Sequence, residues 1–249
     1  MDLNADLGEG FGIWRLGDDQ ALLDLITSAN VACGFHGGDP SIMHRICAAA
    51  AERGVVVGAQ VGYRDLAGFG RRHIAYGFAE LRDEVIYQLG ALDGFCRLTG
   101  TRVRYLKPHG ALYHAAACDE AQAAALVAAV CGYDHELPVL CQAGSVLAQL
   151  AVGAGLRVVA EGFADRNYLP NGSLVPRTAA NALVTDPEEV AARAVRMASE
   201  RTVVAVDGSV VPCQVESICL HGDSPGAVGS AALVRAALID AGITPMPFA

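Results

Sequence analysis

The chain has 249 residues, 53% of them hydrophobic and 18% charged, which is enough apolar material for a sizeable core within one large domain. A formal net charge of −9 without a basic stripe argues against a nucleic-acid partner, and no apolar run approaches the roughly 20 residues needed to cross a bilayer. The acidic start MDLNADLGEG lacks the features of a signal peptide, so a cytoplasmic location is expected, and the eight cysteines, none spaced C-x-x-C, read as reduced thiols rather than as disulfides or a structural zinc site.

Short β-branched runs alternate with longer amphipathic ones. The first strand, 2–6, places Asp2, Asn4 and Asp6 on one face and Leu3 and Ala5 on the other. Polar side chains on a buried parallel strand are costly unless they are paired or face a polar site, so a structural network and a functional mouth are both open readings. Glu9, in the glycine-rich loop that follows, reads as solvent-facing. A helix is expected near 19–26 and a second strand at 28–33, which ends in the turn GFHGGDP. His36 in that turn can serve as acid, base, donor or metal ligand, whereas Asp39 before Pro40 has a structural use as the N-cap of a helix at 40–53.

A third strand at 55–60 leads into the long loop GYRDLAGFGRRHIAYG, which carries Arg64, Arg71 and Arg72 and reads as a lid or as a surface loop. After a helix at 79–99, the fourth strand, 103–107, runs into KPHGALY. Lys107 is the only lysine among 18 basic residues. Pro108 keeps the residue before it extended, so Lys107 and His109 point to one side. A lysine beside a histidine can bind an oxyanion or act as a base, and as a polar mouth residue it is expected to contribute little to the core; the alternative is a strand-end lysine reaching solvent. Strands at 138–141 and 157–160 and helices at 120–131, 145–154 and 187–200 follow, the last capped by Asp186-Pro187 with Glu189 completing a capping box. The Asp-Gly turn in VVAVDGSVVPCQV predicts an extra β-hairpin, before a last strand at 217–220 and a helix near 226–241.

Alternating strands and helices imply parallel pairing, and seven such units fit an incomplete barrel better than an open sheet. The expected class is therefore α/β: a seven-stranded (β/α) barrel, one domain over 1–249, with the extra hairpin before its last strand. His-Gly pairs end the second, fourth and seventh strands, where parallel barrels bind ligands. No G-x-x-x-x-G-K-[ST] phosphate loop, G-x-S-x-G elbow or H-E-x-x-H helix is present.

The ordered motifs DLNADLGEG, SANVACGFHGGDP, VIYQLGAL, KPHGALY, FADRNY, GSLVPR and CLHGD closely resemble the LamB/YcsF family over essentially the whole chain. The resemblance implies a barrel like that of the glycoside hydrolase/deacetylase fold. It also implies one component of an ATP-dependent 5-oxoprolinase, opening 5-oxo-L-proline to L-glutamate with B and C subunits that resemble the halves of allophanate hydrolase. Without a phosphate loop here, ATP is expected mainly on those partners. By the same resemblance Asp6, His36, Lys107 and His109 form the catalytic set. Asn4, Asn30, Gln60, Arg72, Tyr113, Arg166, His221 and Asp223 form the substrate-binding set.

One position departs from the family pattern. Where members read Gly-Ala-His-Pro, this chain has Gly58-Ala59-Gln60-Val61. Gln60 can hydrogen-bond but cannot titrate and is a poor ligand for transition metals, so no metal is expected. Two rival readings stand beside this one. The first is a metal-dependent deacetylase or other cyclic-amide hydrolase using Asp6 and His36 with His109 or His221. The second is a non-catalytic substrate-binding subunit. The sequence leaves a homo-oligomer open.

Overall fold

Parallel strands joined by helical crossovers bury both faces of a sheet, and here the sheet curls until its edges meet. The computed structural model describes all residues except 223–225. Its barrel strands are β1 (Asp2–Leu7), β2 (Ser28–Ala32), β3 (Val56–Val61), β4 (Leu106–Pro108), β5 (Val139–Gln142), β6 (Val158–Phe163) and, after a hairpin of β7 (Thr202–Val204) and β8 (Val210–Pro212), β9 (Ser217–Leu220). They close in the order β1-β2-β3-β4-β5-β6-β9, with β9 pairing in parallel to both β6 and β1. The seven-stranded barrel and its antiparallel hairpin are those expected from the sequence.

The helices are α1 (Asp19–Leu23), α2 (Pro40–Arg53), α3 (Phe78–Leu98), α4 (Gly110–Cys118), α5 (Glu120–Tyr133), α6 (Val146–Gly153), α7 (Pro187–Ser199) and α8 (Ala227–Asp240). Asp39 and Asp186 cap α2 and α7 as expected, their carboxylates accepting from the Ile42 and Glu188 amides. Helix α4 has no counterpart in the sequence reading. Its N-cap, His109, makes no side-chain capping bond, so no start signal marks it. Asp119 caps the next helix instead, accepting from the Ala121 and Gln122 amides, and α4 and α5 meet at 108°. Among the described residues no single helix is long and apolar enough to cross a membrane.

The period of two on β1 sends Leu3, Ala5 and Leu7 outward into the apolar layer under the helices. Asp2, Asn4 and Asp6 point into the barrel, where every polar group needs a partner. At the bottom, Asp2 accepts from the hydroxyls of Thr27 (2.6 Å), Ser28 (2.7 Å) and Ser217. One layer up, Asn4 donates to Ser217 (2.6 Å), Asn30 donates to Asn4 (2.6 Å), and the Tyr105 hydroxyl donates to Asn30 (2.6 Å). Tyr105 fits because Gly58, on the adjacent strand β3, has no side chain: a Cβ there would overlap its ring.

That packing separates two outwardly similar substitutions. Gly58→Ala should destabilise the protein by about 1–3 kcal/mol through overpacking of a closed interior. Gly94→Ala, on the exposed side of α3 with nothing within 4 Å of the new Cβ, should stabilise it by up to about 1 kcal/mol. Urea unfolding of the two variants checks the pair, and equal effects would contradict this account of the barrel interior.

Candidate active site

Lys107 rises from β4 into the upper barrel and is only 2% exposed. Its Nζ lies 2.9 Å from Asp6 Oδ1 and 2.8 Å from Glu161 Oε1, and it also donates to Cys219 Sγ (3.1 Å). Burial alone would depress the Lys107 ammonium, but the neighbouring carboxylates, Asp6 first and Glu161 beside it, outweigh it and hold the pKa well above the ordinary lysine value. Burial would likewise raise Asp6, yet Lys107, His221 and the Asn30 amide (2.8 Å) keep it below the ordinary carboxylate range. Glu161 goes the other way, raised by its burial despite the same lysine. One ammonium thus sits between two carboxylates whose pKa values are pushed in opposite directions, Asp6 down and Glu161 up. Lys107 is therefore no strand-end lysine reaching solvent, and its buried ion pairs argue against the expectation that a polar mouth residue contributes little to the core.

Beside this triad, the rings of His36 and His109 stack with 3.9 Å between centroids and 12° between planes. Their approach depends on Gly70, whose φ is +64° and whose Cβ, if present, would lie 2.7 Å from His36 Cβ and 2.9 Å from His109 Nδ1. Gln60 links the pair to Glu9: its Nε2 donates to Glu9 Oε1 (3.1 Å), while its Oε1 lies 3.1 Å from His36 Nε2. Since that oxygen can only accept, His36 carries its proton on Nε2. His109 Nε2 lies 3.5 Å from the same Glu9 oxygen. Burial lowers the His36 pKa to about 4 and that of His109 well below the ordinary value, helped for His109 by His36, Arg71 and Lys107. Both rings are neutral at pH 7. Glu9, read from the sequence as solvent-facing, is buried.

Glu9, His36 and His109 are a chemically suitable donor set for a divalent metal, with their ligand atoms within 4.8 Å of one another. The arrangement fits poorly all the same. An imidazole lone pair lies in the ring plane, so those of two parallel rings do not converge on one ion. Neither buried Nδ1 has a hydrogen-bond acceptor, which metal-bound histidines ordinarily possess. As arranged, the cluster is a stacked histidine pair joined to Glu9 through the Gln60 carboxamide.

Above the triad opens a narrow cleft, lined by Asp6, Lys107, His109, Tyr113, His221, Phe163 and three arginines, Arg71, Arg166 and Arg177. His221, at the end of β9, stacks on Phe163 and directs Nδ1 to Asp165 Oδ2 at 2.8 Å. Asp165 would be raised by burial, but the adjacent His221, through its ring and backbone hydrogen bonds, holds it below the ordinary carboxylate value. The imidazole is thereby oriented with its other nitrogen available for chemistry.

The catalytic set named from the sequence thus converges in one region, with Asp6, Lys107 and His109 on the cleft and His36 behind it. Of the substrate-binding set, Tyr113, Arg166 and His221 line the cleft, while Asn4, Asn30 and Gln60 lie beneath it in the polar interior. Arg72 does not line it: its guanidinium turns to Asp65, and 66% of its side chain is exposed. The neighbouring Arg71 takes the position on the cleft. Asp223 lies outside the described residues. Glu9, Glu161 and Asp165 are the carboxylates that sequence reasoning missed, although Asp165 sits inside the motif FADRNY.

Residues 1–249 match the model of the LamB/YcsF family. The chain belongs to that family. It is 56% identical over 244 residues to the 5-oxoprolinase A subunit of Mycolicibacterium gilvum (strain PYR-GCK), covering 98% of this chain and 97% of that one. It is 55% identical over 249 residues to the 5-oxoprolinase A subunit of Streptomyces avermitilis, covering 100% of both chains. A solved structure, that of the lactam utilization protein from Thermus thermophilus, superposes with a TM-score of 0.95 at 44% identity over 99% of both chains. A family 4 carbohydrate esterase from Streptomyces lividans, in complex with acetate, shares the barrel alone, with a TM-score of 0.51 at 12% identity over 100% of this chain and 92% of that one.

Two measurements on this LamB/YcsF protein follow from the charges. Lys107→Met leaves Asp6 and Glu161 buried without their cation and should cost about 3–5 kcal/mol at pH 7, read by chemical denaturation; a parent-like stability would mean the triad is solvated. His36, with a folded pKa near 4 below its ordinary value of 6.5, binds its proton preferentially in the unfolded chain. Its contribution to stability is therefore present above pH 6.5 and declines as pH falls toward 4, by up to about 1.4 kcal/mol per unit. His36→Gln should flatten that part of the acid limb, and an unchanged slope would show that the folded protein protonates His36 readily.

Proposed function

We propose that this chain is the A subunit of a cytoplasmic 5-oxoprolinase, opening the lactam of 5-oxo-L-proline to L-glutamate in concert with B and C subunits that supply activation from ATP. One arrangement carries the reading: the Lys107 ammonium held between Asp6 and Glu161 on a cationic cleft that His221, paired with Asp165, also lines. The names borne by its relatives, the A subunit of 5-oxoprolinase and lactam utilization protein, favour a lactam over an acetylated sugar as the substrate.

Hydrolysis adds water across an amide: oxygen bonds to the ring carbonyl carbon, the carbon–nitrogen bond breaks, and the nitrogen leaves protonated. Lys107 is a compact positive charge where negative charge develops on the carbonyl oxygen. His221, oriented by Asp165, takes a proton from the water and returns it to the ring nitrogen, with the carboxylate stabilising the transient imidazolium. Asp6, itself held by the Asn30 amide, fixes the ammonium from one side, and Glu161 holds it from the other. His109 closes the cleft wall, held by its stacking on His36. An unstrained five-membered lactam is a poor electrophile, which explains the need for ATP. This chain carries no phosphate loop, so the nucleotide belongs to the partners.

Three assays test the reading. The purified chain with 5-oxoproline and ATP should form no glutamate, and adding the B and C subunits should restore turnover; ATP-coupled ring opening by the chain alone would refute this division of labour. In the assembled enzyme Lys107→Arg, which keeps the charge but substitutes a planar fork, should lower kcat by about 10²-fold or more. A variant that folds, assembles and keeps most of its kcat would remove Lys107 from the chemistry. Activity should also survive dialysis against EDTA, whereas loss restored by zinc or manganese would favour the metal-dependent deacetylase reading of the Glu9–His36–His109 cluster.

A further inference from the structure

The segment after β6 folds back on itself as a flap, through antiparallel bridges between Arg166 and Leu183 and between Tyr168 and Leu174. Arg193 of α7 anchors its base, donating to the Ala164 carbonyl (3.1 Å) and the Arg166 carbonyl (2.5 Å). Within the flap Arg166 is only 2% exposed, and its guanidinium donates to the carbonyls of Ala182 (3.3 Å) and Val175 (2.6 Å). No carboxylate within 4 Å pairs with it among the described residues. The carboxylates around it are committed elsewhere: Asp165 to His221, Asp6 and Glu161 to Lys107. Arg177, from the other arm of the flap, joins it on the cleft beside Lys107, His109 and His114. After burial itself, the Arg177 charge is the next cause pushing the Arg166 guanidinium down, to about 10.

A buried cation satisfied only by neutral carbonyls, with a second guanidinium of like charge beside it, is an unfavourable arrangement for an empty cleft. It becomes favourable when an anion sits between the two. We propose that Arg166 and Arg177 form an oxyanion subsite for a phosphoryl group, next to the centre that acts on the lactam. A planar carboxylate is satisfied by one guanidinium fork, whereas a phosphoryl group carries nearly two charges and three acceptor oxygens, matching two. The inference rests on the 5-oxoprolinase reading for its place in the chemistry: activation by ATP leaves a phosphoryl group in the reaction, and this flap is where the chain would hold it.

The test is calorimetric titration of the full chain with inorganic phosphate and, separately, with 5-oxoproline. The parent should bind phosphate saturably, and Arg177→Gln, at a half-buried position that need not disturb folding, should weaken that binding about tenfold or more, as for loss of a charge-assisted contact. Binding of 5-oxoproline should stay within about threefold of the parent in the same variant. Absence of saturable phosphate binding, or binding indifferent to Arg177→Gln, overturns the subsite. An equal loss for 5-oxoproline also overturns it, because the arginines would then hold the lactam's carboxylate. Arginine-dependent phosphate binding by a chain that binds no 5-oxoproline, and forms no glutamate with its partners, supports the subsite while refuting the oxoprolinase reading.

Discussion

The ammonium of Lys107 cannot be taken out of water unless anions meet it inside the barrel. That requirement organises much of the rest. It explains why β1 and β6 carry acidic side chains on their inner faces, where barrels usually pack branched aliphatic residues in layers. It also explains the amide and hydroxyl ladder below, since each carboxylate and carboxamide brought in to face the lysine has further lone pairs and protons to satisfy. Asn30 is the joint of this ladder: it donates to Asp6 and to Asn4 and accepts from Tyr105.

Around that charge the mouth is assembled from turns that tolerate close backbone approach. Gly38, at φ +79°, sits where a Cβ would come within 2.7 Å of the Ala32 carbonyl, and its amide donates to Gly10 (2.7 Å). The turn after β2 is thereby locked against the loop after β1, which brings His36 toward Glu9. Gly70 lets the long arginine-bearing loop lie over the histidine pair. The result is a division of labour among histidines. Two are stacked, neutral and tied through Gln60 and Glu9, while His221 lines the cleft with its Nδ1 held by Asp165.

Most of the architecture was legible from local pattern. The period of two on β1 separated core from interior, the Asp-Pro pairs marked the starts of α2 and α7, and the Asp-Gly turn announced the hairpin. Helix α4 escaped because His109 gives it no capping side chain, and its nine residues run directly into the next helix. Half of the site was legible too, as His-Gly pairs at strand ends and as a lone lysine. Its carboxylate partners were harder to see. Glu9 lies in a glycine-rich loop with no periodicity to show which way it faces, and Glu161 is one acid in an otherwise ordinary strand.

By itself, the sequence determined the barrel, the polar inner face of β1, the concentration of histidines at one end and the membership of the LamB/YcsF family, because periodicity, caps and motifs are local properties of the chain. Only the tertiary structure decided which charges face one another. Asp6, Lys107 and Glu161 are separated along the chain by whole strand–helix units, as are Glu9, His36 and His109. Arg71 rather than Arg72 reaches the cleft because Asp65, a few residues away, captures the latter in a turn of its own. Charge pairing in a buried site depends on distances of a few ångströms across the barrel, and barrel closure alone sets those distances.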